Sequence, residues 1–174
     1  MRRNGWRAVL LTIGILTAAV AASGQDLIAE LAIFDGLVGT SWTGRFTSTP
    51  APPFDHIIEW NVILGGHVVQ WSKRVDALGF SMETFFYWDA ELETVAFTQL
   101  VSNGIHGKGR VETVEGGIAL VGVAMQSFGI VDFKQTFVVT EQGTLEDRYY
   151  TRSGDDWIPE HVIVYARSPE PDAP

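Results

Sequence analysis

The chain has 174 residues, 46% hydrophobic, 11% aromatic and 19% charged, which argues for one packed domain and against intrinsic disorder. Twelve Lys and Arg against twenty-one Asp and Glu give a net charge of −9, which disfavours nucleic acid and anionic membrane surfaces as partners. With no cysteine, disulfides, thiolate catalysis, Cys-ligated zinc and iron–sulfur clusters are excluded together.

Residues 1–24 read as a secretory signal peptide. Arg2, Arg3 and Arg7 form a basic start, an uncharged apolar run follows from Ala8 to Ala22, and small residues close it. The run is short of the ~20 residues needed to span a bilayer core. Its removal leaves nine basic and twenty-one acidic groups, a net of −12. The expectation is an exported protein, periplasmic or extracellular in a bacterium, with no stable membrane anchor after cleavage. An amphipathic stretch comes next, with Leu27, Leu31 and Phe34 at helical spacing and Asp26 placed to cap it.

From Thr40 onward the hydrophobic period changes to two. Ten strands are predicted, near 41–49, 56–64, 67–76, 80–88, 94–102, 105–114, 118–126, 130–140, 145–152 and 157–167. Alternation is clearest where Phe80, Met82, Thr84, Phe86 and Trp88 share a face, and where Val131, Phe133, Gln135, Phe137 and Val139 do. The connections Gly65-Gly66, Ser102-Asn103-Gly104, Glu115-Gly116-Gly117 and Gln142-Gly143 are hairpin turns, too short for a crossover helix. The stiffer Pro50–Pro53 loop joins the first two strands. Closure removes the exposed edges of such a meander, so the reading is an all-β, ten-stranded antiparallel up-and-down barrel with a short N-terminal helix. It spans 25–167, and residues 168–174 form a Pro-rich acidic tail expected to be disordered. Ten strands enclose more space than the eight that side chains can fill, leaving room for a small ligand.

The order of short motifs carries a resemblance. A leading helix runs into Leu37-Val38-Gly39-Thr40-Ser41-Trp42-Thr43-Gly44-Arg45-Phe46, then come Leu64-Gly65-Gly66-His67, Tyr87-Trp88-Asp89, Asn103-Gly104-Ile105-His106-Gly107 and the closing Tyr165-Ala166-Arg167. Over roughly residues 27–167 this resembles the lipocalin-like bacterial β-barrel domains of unknown function, cousins of the calycins and of the heme-binding nitrobindin barrels. It departs from the lipocalin Gly-x-Trp pattern, because two residues separate Gly39 from Trp42. The resemblance implies a barrel with an interior site. It also implies that Arg167 seals one end over Trp42, and that His161 on the closing strand is the axial ligand if heme binds.

Of the four histidines, His56, His67, His106 and His161, none has zinc-site spacing. His56 alternates with Ile58, Trp60, Val62 and Leu64, which points it to the interior. Strand alternation leaves open whether the His161-Ile163-Tyr165 face or the Val162-Val164-Ala166 face is enclosed. No triad, nucleophile elbow or phosphate loop is present; Glu83, Asp89, Glu146, Asp147 and Glu160 are the carboxylates available for acid–base work. The aromatics are the fuller signal. The expected barrel lining is His56, Trp60, Trp71, Phe86, Trp88, Phe97, Phe133, Phe137 and Tyr149, around a small apolar or amphipathic ligand. No catalytic residue and no cofactor are expected. Heme, an enzyme acting on a small hydrophobic substrate, and a ligand-free envelope interaction module are the alternatives, and oligomeric state is not legible.

Overall fold

The computed structural model describes residues 26–48 and 50–169; the predicted signal peptide and the end of the predicted tail lie outside them. Ten strands follow one another: β1 (Thr40–Phe46), β2 (His56–Ile63), β3 (Val68–Val75), β4 (Phe80–Asp89), β5 (Thr94–Val101), β6 (His106–Val114), β7 (Gly117–Gln126), β8 (Gly129–Val139), β9 (Leu145–Ser153) and β10 (Asp156–Arg167). Each pairs antiparallel with the next, and β1 pairs with β10, so the sheet closes into a barrel with no free edge. Every predicted strand is present, displaced by at most three residues at an end.

The predicted N-terminal helix is not an α-helix but a 3₁₀ segment, Ala29–Phe34. Its cap is Ile28, which has an extended backbone and no side-chain cap bond, so Asp26 does not serve. Three residues per turn bring Leu31 and Phe34, three apart, onto one side, and both are fully buried. The Ile28 N–H donates to the Gly66 carbonyl, tying the segment to the β2–β3 turn. Phe34 then reaches Phe86 at 4.7 Å and Trp60 at 6.1 Å between ring centres, plugging that end of the barrel. Arg167 lies 5.8 Å over the Trp42 ring at the same end.

Alternation places the interior. Trp60 and Trp71 stack at 5.6 Å, and Phe137 meets both edge-on at 5.4 and 4.8 Å. Phe97 sits where β6 and β7 offer the facing pair Gly109 and Gly122, and its ring occupies the space that side chains there would fill. Gly44 does the same for Tyr165, its partner across β1 and β10. With Phe86, the fully buried Trp60, Trp71, Phe97 and Phe137 rings form an aromatic floor above the plug.

One irregularity decides the open question on β10. Trp157 lies on the outer wall, where Lys134 and Arg152 cover its ring. Strict alternation from Trp157 would put His161 outside too. The ladder slips between Pro159 and His161, leaving Glu160 as an extra residue, and the bulge turns His161 inward with the fully buried Ile163 and Tyr165. Proline, having no N–H to give the ladder, suits the start of such a break.

Candidate functional site

A polar belt lies inside the barrel, above the aromatic floor. Lys73 on β3 is 7% exposed and Asp147 on β9 is fully buried, with Nζ 3.5 Å from Oδ2. Gln135 Nε2 donates to Asp147 Oδ1 at 2.7 Å, and Gln99 Nε2 donates to Thr84 Oγ1 at 3.2 Å. Each sits at an inward position of its strand, among apolar neighbours such as Val69, Trp71 and Val75.

Towards the opposite end, where the loop between β1 and β2 lies, come two imidazoles. His56 is buried with no partner at Nδ1 or Nε2. Burial, and then the Lys73 ammonium, depress its pKa to about 4, so the ring is neutral at pH 7. His161 is half-buried and its pKa is also lowered, chiefly by burial. Phe46 bridges the pair edge-on, 4.6 Å from His56 and 5.2 Å from His161. Tyr149 stacks on His161 at 5.3 Å and on Phe133 at 5.7 Å. A cleft of about 460 Å³, lined by Phe46, Thr47, Ser48, Pro52, Glu160, His161 and Val162, opens beside this cluster.

Other buried polar atoms face inward without partners. The indole N–H groups of Trp60 and Trp71 have none. The Tyr165 hydroxyl forms no hydrogen bond of ordinary geometry, though Asp147 is close enough to add to the effect of burial in pushing its pKa well up. A buried polar group left without a hydrogen bond costs about 1–3 kcal/mol. Trp60 and Trp71 belong to the packed floor, whereas His56 and Tyr165 lie near the Lys73–Asp147 pair.

All nine expected lining residues face the interior, but they do not form one site. Trp60, Trp71, Phe86, Phe97 and Phe137 are the packed floor, and Trp88 is partly buried against it. His56 and Tyr149 belong to the imidazole cluster and Phe133 stacks on Tyr149, while Phe137 and Trp71 lie across from Asp147 and Thr84 of the belt. Of the five carboxylates considered, only Asp147 is buried inside the barrel. Glu83 accepts from Gln70, Glu146 pairs with Arg148, Glu160 accepts from Thr151, and Asp89 caps its own turn through the Glu91 and Leu92 N–H groups. His67 and His106 are exposed. The sequence reading missed Lys73, Gln99 and Gln135. Their signal was a polar residue on an otherwise apolar alternating face.

Among the described residues, no group of three or more His, Asp or Glu is placed to hold a metal ion. The barrel is compatible with a lipocalin- or calycin-like fold. Neither the protein-family models nor the curated proteins contain a match to the chain.

Proposed function

We propose that the upper interior of the barrel is a binding cup for a small amphipathic molecule. Its hydrogen-bonding head would lie among His56, Lys73, Asp147 and Tyr165, and its apolar part against Phe46 and Tyr149. The observation that carries this is His56: a fully formed imidazole, buried and neutral, with both nitrogens unpaired and facing into the barrel. A neutral imidazole gives one donor and one acceptor, which suits a carboxylic acid, amide or alcohol head better than a bare hydrocarbon. The floor of stacked tryptophans limits how deep the ligand reaches.

An acid–base enzyme is the weaker reading, because His56 has no carboxylate oriented behind it to fix a tautomer. Heme fits poorly. His161 faces inward as an axial ligand must, yet Tyr149 stacks on its ring, Phe46 abuts it, and the Lys73–Asp147 pair lies where an apolar slot for a porphyrin would be required.

The test is titration with a fluorescent fatty acid, followed by native mass spectrometry of the unheated protein. Saturable one-to-one binding is expected, weakened at least tenfold in His56→Leu. No saturable binding, or binding indifferent to His56→Leu, would overturn the proposal. A Soret shift on adding hemin, lost in His161→Ala, would establish heme in its place.

A further inference from the structure

The outer wall at the cup's end of the barrel carries an apolar patch that the strand register assembles. Leu100 on β5 faces His106 on β6, His106 faces Met125 on β7, and Met125 faces Ile130 on β8. All four side chains turn outward, with Leu100 51% and Ile130 70% exposed. Beyond this row, Phe128 projects from the β7–β8 turn, 79% exposed. A cleft of about 430 Å³ separates the β5–β6 and β7–β8 tips.

Charge sets these tips apart. In a chain with twenty-one acidic residues, residues 94–111 and 116–131 contain none, and 116–131 contain no charged residue at all. The other turns at the same end carry Asp76, Asp155 and Asp156. An acidic body with an uncharged apolar corner at this end presents that corner to any surface that does not favour anions.

We infer that the β5–β6 and β7–β8 hairpin tips dock the barrel on the interfacial zone of a zwitterionic phospholipid bilayer, with Phe128 and Ile130 inserted. Three observations select this occupant. Its strongly exposed apolar side chains are Leu100, Phe128 and Ile130, far fewer than the roughly 20–30 residues that each side of a stable dimer buries, so a second copy would be held poorly. Its centre lacks charges with which a polar protein partner could pair. Phe128 stands at the end of a tight hairpin, so it enters the interface without opening the closed ladder, whose backbone groups stay paired. Net charge disfavours anionic lipid, which makes the zwitterionic surface the fitting one. The inference does not depend on the cup binding a ligand.

The absence of cysteine makes the test direct. Single-cysteine variants of the full chain, Phe128→Cys and Leu92→Cys, are labelled with an environment-sensitive dye and mixed with phosphatidylcholine vesicles. Leu92 is 69% exposed at the opposite end, the end where the chain emerges into Asp26 beside Gly66. It therefore reports attachment through the N-terminal segment. The label at 128 should shift to the blue with vesicles and the label at 92 should not. The shift should survive a rise from 0.1 to 1 M salt, since apolar insertion is not screened. In co-sedimentation, the double variant Phe128→Ser/Ile130→Ser should lose at least tenfold in vesicle partition beyond any loss from the N-terminal segment alone. No shift at 128, a shift at 92 instead, or a shift at 128 that grows with protein concentration in the absence of vesicles would overturn the inference. The last of these would mark a protein interface.

Discussion

Removing Asp147 should cost more than removing Asp147 and Lys73 together. In Asp147→Leu the Lys73 ammonium stays 7% exposed without a counter-charge, and Gln135 Nε2 loses its acceptor. Breaking one partner of a buried pair costs about 3–5 kcal/mol. The 3.5 Å separation is longer than a tight charge-assisted bond of about 2.7–2.9 Å, which places the ionic part near 3 kcal/mol. The orphaned Gln135 adds about 1 kcal/mol. The single variant should thus lose ~4 kcal/mol, much of the 5–15 kcal/mol that holds a domain together. Lys73→Met should lose ~3 kcal/mol, because Asp147 keeps the Gln135 bond. The double variant Lys73→Met/Asp147→Leu should fall within ~1–2 kcal/mol of the parent, since a buried pair exchanged for apolar side chains is often close to neutral. Urea unfolding followed by tryptophan fluorescence gives all four corners of the cycle. Additive losses, with the double variant the least stable, would refute the claim that the two charges hold each other inside the barrel.

The other two predictions use the same assay. Because the folded pKa of His56, about 4, lies below the unfolded 6.5, the unfolded chain binds more protons between these values. Stability should therefore rise with pH across that window, by up to about 3 kcal/mol from His56, with His161, also lowered by burial, adding in the same direction; His56→Leu should make the slope clearly shallower, and equal slopes in parent and variant would show that His56 is not buried neutral. Gly44→Ala sets a methyl carbon 2.5–2.6 Å from the Tyr165 ring and the Val164 carbonyl, and should cost at least ~2 kcal/mol, whereas Gly36→Ala, with open space around it, should cost less than ~0.5 kcal/mol. Equal losses at the two glycines would show that Tyr165 does not press on β1.

The architecture was largely legible because hairpin turns and period-two alternation are local signals. Phe80 to Trp88 and Val131 to Phe137 face as their spacing demanded, and closure followed from the lack of anything to cover an edge. The site was legible only in part. Lys73 shares a face with Val69, Trp71 and Val75, and Asp147 shares one with Leu145 and Tyr149, so alternation alone would have sent both charges inside. Charged side chains are rarely fully buried unless paired, and nothing local in the sequence shows that Lys73 and Asp147, on strands far apart in the chain, pair with each other. His161 was undecidable for a different reason. Both faces of β10 carry apolar residues, and a bulge of one residue, whose only trace in the sequence is Pro159, reverses the parity between Trp157 and His161. The 3₁₀ segment escaped because Leu31 and Phe34 fit three residues per turn as well as they fit 3.6.

The position of the plug gives the two proposals a common geometry. Phe34, Leu31 and the Trp60–Trp71–Phe137 floor pack the barrel from the end that holds the 3₁₀ segment, so the proposed route to His56 runs from the opposite end, where the Phe46–His161 cleft lies. That same end carries the uncharged β5–β6 and β7–β8 tips. A barrel docked through them would hold its cup near the interface, where amphipathic molecules concentrate. The body, at −9 overall, would stay in water. The energetics point the same way. A ligand at 100 times its Kd stabilises the fold by about 2.7 kcal/mol, comparable to the penalty for leaving one or two buried polar groups unpaired. Occupancy should therefore offset what His56 costs the empty fold. In that case the residue that destabilises the barrel at low pH is the one through which a ligand restores its stability.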